Sequence, residues 1–238
     1  MRPRLNGPLL FFVLIAVLNA DCRAQAVAVP LEPHALAVAA LQGLSGTAVA
    51  ATLKDNVIHV AVRGASTAKG TEPIFEIGSI SKVFTGLQLA QAVESKELSL
   101  DDTIGVLLKA SVPFDSERAA AITLRQLVTH TSCLPRLPEN PYRIPAALQL
   151  TSYGRAQLWS ALGRVVLPRQ SPCVSDYSNF GMAVLAELLS QRAGRPWEDL
   201  VRTRITAPLG MRDTFVKTPN RQASRLAKGF VRDVPAHP

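Results

Sequence analysis

The chain has 238 residues, 47% of them hydrophobic and 18% charged, which is long and apolar enough for a buried core of one or two domains and excludes wholesale disorder. Its formal charge of +8 is scattered, with no basic run interleaved with aromatics, so nucleic acid is not an expected partner. Neither an internal repeat nor a low-complexity segment is present.

The N-terminus carries Arg2 and Arg4, then an apolar run over residues 9–18, then "DCRAQA", in which Ala24 and Ala26 form a small-x-small pair. This is the pattern of a cleavable signal peptide over residues 1–26, cut after Ala26. The run falls short of the roughly 20 apolar residues that a bilayer span needs, so no stable membrane span is expected after cleavage. Lipid attachment at Cys22 is disfavoured by Asp21, which stands where a small residue is wanted. Three arginines and one aspartate leave with the segment, and residues 27–238 keep +6 as one domain of a periplasmic or secreted protein. Cys133 and Cys173 would then enter an oxidising compartment, where a disulfide between them and a pair of buried thiols are both open.

A short helix is expected near residues 33–42. "GTAVAATL" (46–53) and "VIHVAVRG" (57–64) read as two strands of a hairpin turning at Lys54, Asp55 and Asn56. Helical patterns follow over 79–95, 123–129, 152–162, 179–192 and 196–205, with Gly194 and Gly210 as stops. "LPRLPENPYRIP" (134–145) interrupts them as an irregular excursion. Strands first and helices afterwards point to an α+β arrangement, an antiparallel sheet beside a mainly helical region.

Two serines stand three residues before a lysine, Ser66 with Lys69 and Ser79 with Lys82. The first pair lies in "GASTAKGTE", a polar stretch that reads as a solvated loop. Ser79 instead follows Gly78 and precedes Val83, Phe84, Leu87, Leu89, Ala90 and Val93, an apolar helix that must be buried. Positions three apart share a helix face, so the Lys82 amine would sit beside the Ser79 hydroxyl. The positive end of the helix dipole and burial both disfavour the ammonium form, which would let Lys82 act as a base on a serine nucleophile. The plainer reading makes Ser79 a helix cap and sends Lys82 to solvent.

A second element supports the chemical reading. Tyr177-Ser178-Asn179 also precedes a strongly apolar helix, and its phenol and amide, two residues apart, can point into one cavity. Tyr177 would relay a proton, and Asn179 would bind Lys82 and a substrate amide. Here the plainer reading is a helix cap and a half-buried aromatic ring.

"FEIGSISK", "LSLDDTI", "LRQLVTHTSCLPR", "YSNFGMAVLAELL" and "ITAPLGMRDTF" together resemble, in order, the landmarks of the class C β-lactamase and serine DD-peptidase family of penicillin-recognising hydrolases. The resemblance implies a β-lactamase/transpeptidase-like fold and an acyl-enzyme on Ser79, with Lys82 and Tyr177 handling its proton and Asn179 contacting the substrate. It implies a small β-lactam or a peptidoglycan peptide as substrate, with a DD-carboxypeptidase, an esterase or a non-catalytic envelope protein as alternatives. No cofactor or metal is expected, and His130 in "THTSCLP" reads as structural. Two departures stand out. Cys133 occupies a place where the family has glycine, and the sequence ends at Pro238 before the family's third motif, Lys-Thr-Gly or His-x-Gly. The expectation is therefore a C-terminally truncated member whose sheet is incomplete. Oligomeric state is left open.

Overall fold

The computed structural model describes residues 32–40, 42, 46–64, 72–139, 153–227, 230–231 and 234–235. The expected signal peptide, the Ser66–Lys69 loop and most of the Pro-containing excursion lie outside the described residues. The chain divides into two compact units, residues 1–65 with 230–236, and residues 66–229 with 237–238.

In the first unit, α1 (Pro33–Ala40) packs on an antiparallel hairpin of β1 (Thr47–Lys54) and β2 (Val57–Gly64). The hairpin register pairs Thr47 with Gly64 and Lys54 with Val57. Asp55 and Asn56 form the two-residue turn with φ of 51° and 60°. Two positive φ values in succession match the right-handed twist of the strands, and Asp and Asn tolerate them better than most residues. The strands thus lie within one residue of their expected bounds. Their apolar side chains are largely exposed, Leu53 to 71% and Ile58 to 68%. A further short antiparallel pair joins β3 (Phe230–Val231) to β4 (Val234–Pro235).

The second unit is helical. A 3₁₀ turn (Gly78–Ile80) leads into α2 (Ser81–Glu94), followed by α3 (Ile104–Leu107), α4 (Glu117–Ala120), α5 (Leu124–Val128), α6 (Arg155–Arg164), α7 (Asn179–Ala193) and α8 (Trp197–Val201). Helix α7 is the centre of the core. Its Phe180, Val184, Leu185, Leu188 and Leu189 are buried in one apolar cluster with Leu89, Leu124, Leu127 and Leu162, and the helix packs against α2, α5, α6 and α8. Ser178 caps its start by accepting from the Gly181 N–H at 2.9 Å. Gly194, at φ 62°, ends it in the left-handed conformation that glycine adopts most cheaply.

Two local devices fix the framework under the site. Thr123 and Gln126 form a reciprocal capping box at the start of α5. The "LSLDDTI" segment then holds that helix: Arg125 makes a two-pronged ion pair with Asp101 at 2.9 and 3.1 Å, and the Leu124 and Arg125 N–H groups donate to the Asp102 and Leu100 carbonyls. Elsewhere the Trp197 indole N–H donates to the buried Thr85 hydroxyl at 3.1 Å, tying α8 to α2.

Several expected spans change in detail. The 79–95 helix starts with a 3₁₀ turn, so Ser79 sits ahead of the α-helical ladder. The 196–205 pattern yields only five α-helical residues before the backbone widens into a π turn (Arg202–Thr206). α3 and α4, four residues each, carry too little periodicity to be read from sequence. Among the described residues no helix is long and apolar enough to cross a membrane.

Candidate active site

Gly78 opens the site at φ 50°, a conformation that favours glycine, and a side chain there would meet only open space. The requirement is therefore one of backbone angle and not of room. This turn presents the Ser79 side chain outward, exposed, instead of folding it back on the helix. Neither the turn nor α2 is capped by a side chain, so the helix-cap reading of Ser79 does not hold here.

The Ser79 hydroxyl receives two hydrogen bonds. Lys82 Nζ donates at 3.1 Å from one turn further along, and the Tyr177 hydroxyl donates at 2.6 Å from a residue 98 positions away. Lys82 Nζ also lies 4.8 Å from the Tyr177 ring centroid. The structure thus brings Ser79, Lys82 and Tyr177 together.

Burial pushes the Tyr177 phenol up, but hydrogen bonding with Lys82 and Ser79 and the charges of Lys82 and Arg136 outweigh it, leaving the phenol below the usual tyrosine value. A phenol so placed gives up its proton more easily than one in water. Lys82 and Tyr177 share one acceptor, the Ser79 hydroxyl.

Asn179 is placed differently. It is the first residue of α7, and its backbone N–H donates to the Arg136 carbonyl at 3.0 Å. Among the described residues no hydrogen bond joins its amide side chain to Lys82. The hydrogen bond shown for this residue is the one made by its backbone at the helix start. Its side chain is half-buried.

Four groups beside the site were not singled out in the sequence as site residues. His130 stacks on Tyr177, with ring centroids 4.8 Å apart, and its Nδ1 accepts from the Ser178 N–H at 3.2 Å. That bond keeps Nδ1 unprotonated, and burial followed by the Lys82 charge holds the imidazole below its usual value. Ser178 donates to the Pro135 carbonyl at 2.7 Å while capping α7, so it anchors the residue after Tyr177. The Arg136 guanidinium lies 5.3 Å from the Tyr177 ring centroid. Cys133 and Cys173 form a disulfide with Cα atoms 5.4 Å apart, which resolves the choice between bridge and thiols. Ser178 was legible as a small polar residue just ahead of an apolar helix. The other three depend on long-range contacts. Among the described residues no group of three or more His, Cys, Asp or Glu is placed to hold a metal ion.

A serine hydroxyl with an amine and a phenol both within hydrogen-bond reach has two neighbours that, once deprotonated, can take its proton as it attacks a carbonyl. Comparison with known proteins gives this geometry a context. A family model described as Beta-lactamase matches residues 35–238. The chain is 30% identical over 156 residues to the D-alanyl-D-alanine-carboxypeptidase/endopeptidase AmpH of Escherichia coli strain K12, across 65% of this chain and 40% of that protein. It is 26% identical over 191 residues to Penicillin-binding protein 4 of Amycolatopsis lactamdurans, across 78% of this chain and 46% of that protein. The chain thus spans less than half the length of these curated relatives. A solved structure of a beta-lactamase/D-alanine carboxypeptidase from Yersinia pestis superposes with a TM-score of 0.66 at 28% identity, covering 81% of this chain and 56% of that one. The expected β-lactamase/transpeptidase-like fold is borne out, and the chain belongs to the Beta-lactamase family.

Proposed function

We propose that this protein is an exported serine hydrolase that opens β-lactam or D-Ala-D-Ala-type amide bonds through an acyl-enzyme on Ser79. The observation that carries this reading is the pair of hydrogen bonds converging on the Ser79 hydroxyl, from Lys82 at 3.1 Å and Tyr177 at 2.6 Å.

In the reaction, Ser79 Oγ attacks the carbonyl carbon as its proton passes to the Lys82–Tyr177 pair. The tetrahedral centre then collapses, the carbon–nitrogen bond breaks, and the pair returns the proton to the leaving nitrogen. Water, deprotonated by the same pair, attacks the ester and restores the serine. The lowered Tyr177 phenol fits the base role, since its anion forms closer to neutral pH than that of an ordinary tyrosine. Asn179 serves the substrate amide in this scheme. The name of the Escherichia coli relative, a carboxypeptidase and endopeptidase, favours a peptidoglycan peptide as the second reading of the substrate.

Export belongs to the same reading: residues 1–26 direct the chain to the periplasm, and N-terminal sequencing of the mature protein should begin at Val27. The catalytic claim is tested by incubating the folded protein with a fluorescent penicillin and locating the adduct by mass spectrometry. Labelling on Ser79 that disappears in Ser79→Ala is expected, with a loss of at least about 10³-fold in any turnover of a chromogenic cephalosporin. Absence of both label and turnover in folded protein would place the chain among non-catalytic envelope proteins.

A further inference from the structure

We propose that the Cys133–Cys173 disulfide is a positioning element of this site, holding the Tyr177 phenol against Ser79, so that reduction of the bridge disengages the phenol. The inference deepens the hydrolase reading above and rests on it for the rate it predicts.

The two segments joined by the bridge carry Tyr177 itself and the His130 ring that stacks on it. On one side run His130, Thr131, Ser132 and Cys133, and on the other Cys173 to Tyr177. Beside the bridge they are linked by two backbone hydrogen bonds, Cys173 N–H to the Thr131 carbonyl and Asp176 N–H to the His130 carbonyl, both 2.8 Å. Asp176 immediately precedes the phenol, and the His130 ring stacks on it at 4.8 Å. The position of Tyr177 therefore follows the course of the 130–133 segment.

That course is held away from ordinary backbone angles. His130 and Cys133 have φ of 59° and 62°, in the left-handed region where a residue with a Cβ is disfavoured. Cys133 is fixed there by a covalent bond to the opposite segment. Without the bond its backbone is free to relax to negative φ, which swings the Thr131 and His130 carbonyls off their partners and moves the imidazole from beneath the phenol. Glycine at position 133 would hold the same angle with no bond at all.

The bridge is also open to chemistry. Both cysteines are partly exposed, and Arg169 Nε donates to Cys173 Sγ at 2.9 Å. A guanidinium on that sulfur stabilises it as the departing thiolate. A dithiol reductant supplies two electrons and two protons, converts the bridge to thiols at Cys133 and Cys173, and becomes a disulfide itself.

The test compares oxidised and reduced protein, with reduction verified by alkylation of two thiols and folding followed by circular dichroism. The Tyr177 phenol is titrated through near-ultraviolet phenolate absorbance, by difference from Tyr177→Phe, and acylation is timed with fluorescent penicillin. Reduction should move the phenol up toward the ordinary tyrosine value and slow acylation about 10- to 100-fold, the scale expected when a reacting group shifts by about 1 Å. Cys133→Ala with Cys173→Ser should behave like reduced protein. Cys133→Gly with Cys173→Ser should match the oxidised protein and ignore reductant. If reduction unfolds the chain, these two double variants decide the matter. Identical phenol titration in oxidised and reduced folded protein, or in the alanine and glycine variants, overturns the proposal. An oxidised protein that never labels, yet whose phenol still responds to reduction, removes the hydrolase reading and leaves the positioning role standing.

Discussion

The β1–β2 hairpin and helix α7 are built from the same kinds of side chain, Val, Ile, Leu and Ala, yet they meet opposite fates. In α7, Val184, Leu185 and Leu188 are 0% exposed, whereas in the hairpin Leu53, Ile58 and Val60 are 71%, 68% and 60% exposed. A β-branched run with a two-residue turn is enough to close a hydrogen-bonded ladder, and an apolar helix is enough to propagate its own. Stability comes from what covers the side chains afterwards. A fully buried leucine contributes about 1.5–3 kcal/mol relative to an exposed one, and a two-stranded ribbon by itself is marginal in water. The candidate site residues Ser79, Lys82 and Tyr177 all stand on the helical unit, the part with a packed interior.

Truncations matched across the two regions would break this contrast if it is wrong. Leu185→Ala should lower unfolding stability by about 2–5 kcal/mol, since it opens a cavity inside the cluster, while Ile58→Ala should stay within about 0.5 kcal/mol. Urea denaturation monitored by circular dichroism measures both, and equal losses would show that the hairpin is as well covered as the helix. A cap sharpens the same comparison at lower amplitude. Thr123→Ala removes the oxygen that accepts the Gln126 N–H at 3.2 Å and should cost about 1 kcal/mol, read as a shift in denaturation midpoint with an unchanged slope.

The smallest effect concerns protons. Burial and the neighbouring Lys82 charge hold His130 below its ordinary value of 6.5. Above that value both folded and unfolded chains carry a neutral ring, and the contribution is fully present. As pH falls below it the unfolded chain takes up the proton first, so stability drains away until the folded-state value is passed. Protonation also removes the acceptor that Nδ1 offers to the Ser178 N–H. A stability–pH curve should therefore fall on the acid side of 6.5, and the fall should be shallower in His130→Phe.

Much of the architecture was legible beforehand, and the reasons are specific. The hairpin announced itself through β-branched runs on either side of Asp55 and Asn56. Helix α7 was bounded by a serine cap and a glycine stop, both local signals. Ser79 and Lys82 could be paired because three residues of helix fix their distance. The rest depends on contacts that sequence spacing does not encode. α3 begins where the Ile104 N–H finds the Ile122 carbonyl at 2.8 Å, a bond across eighteen residues. The backbone widening after Val201 leaves the apolar period almost unchanged, so a continuous helix was the natural expectation. The phenol of Tyr177 reaches Ser79 only after a stretch of chain closes that separates the two by 98 positions. Arg136 gained its place over that ring only through the same closure. For Asn179 the sequence suggests a side-chain contact, while the hydrogen bond shown is that of its backbone.

One tie within the helical unit gives the protein a built-in optical reporter. The Trp197 indole is anchored to Thr85, three residues beyond Lys82 on the same helix. Loss of that anchor exposes an indole N–H to bulk water and shifts tryptophan emission to longer wavelength. Trp159, 7% exposed in the apolar cluster, offers a second fluorophore whose environment reports the interior. Emission from the two rings, separated by single Trp→Phe replacements, can therefore distinguish motion of the lysine-bearing helix from loosening of the core as it occurs, without an added dye.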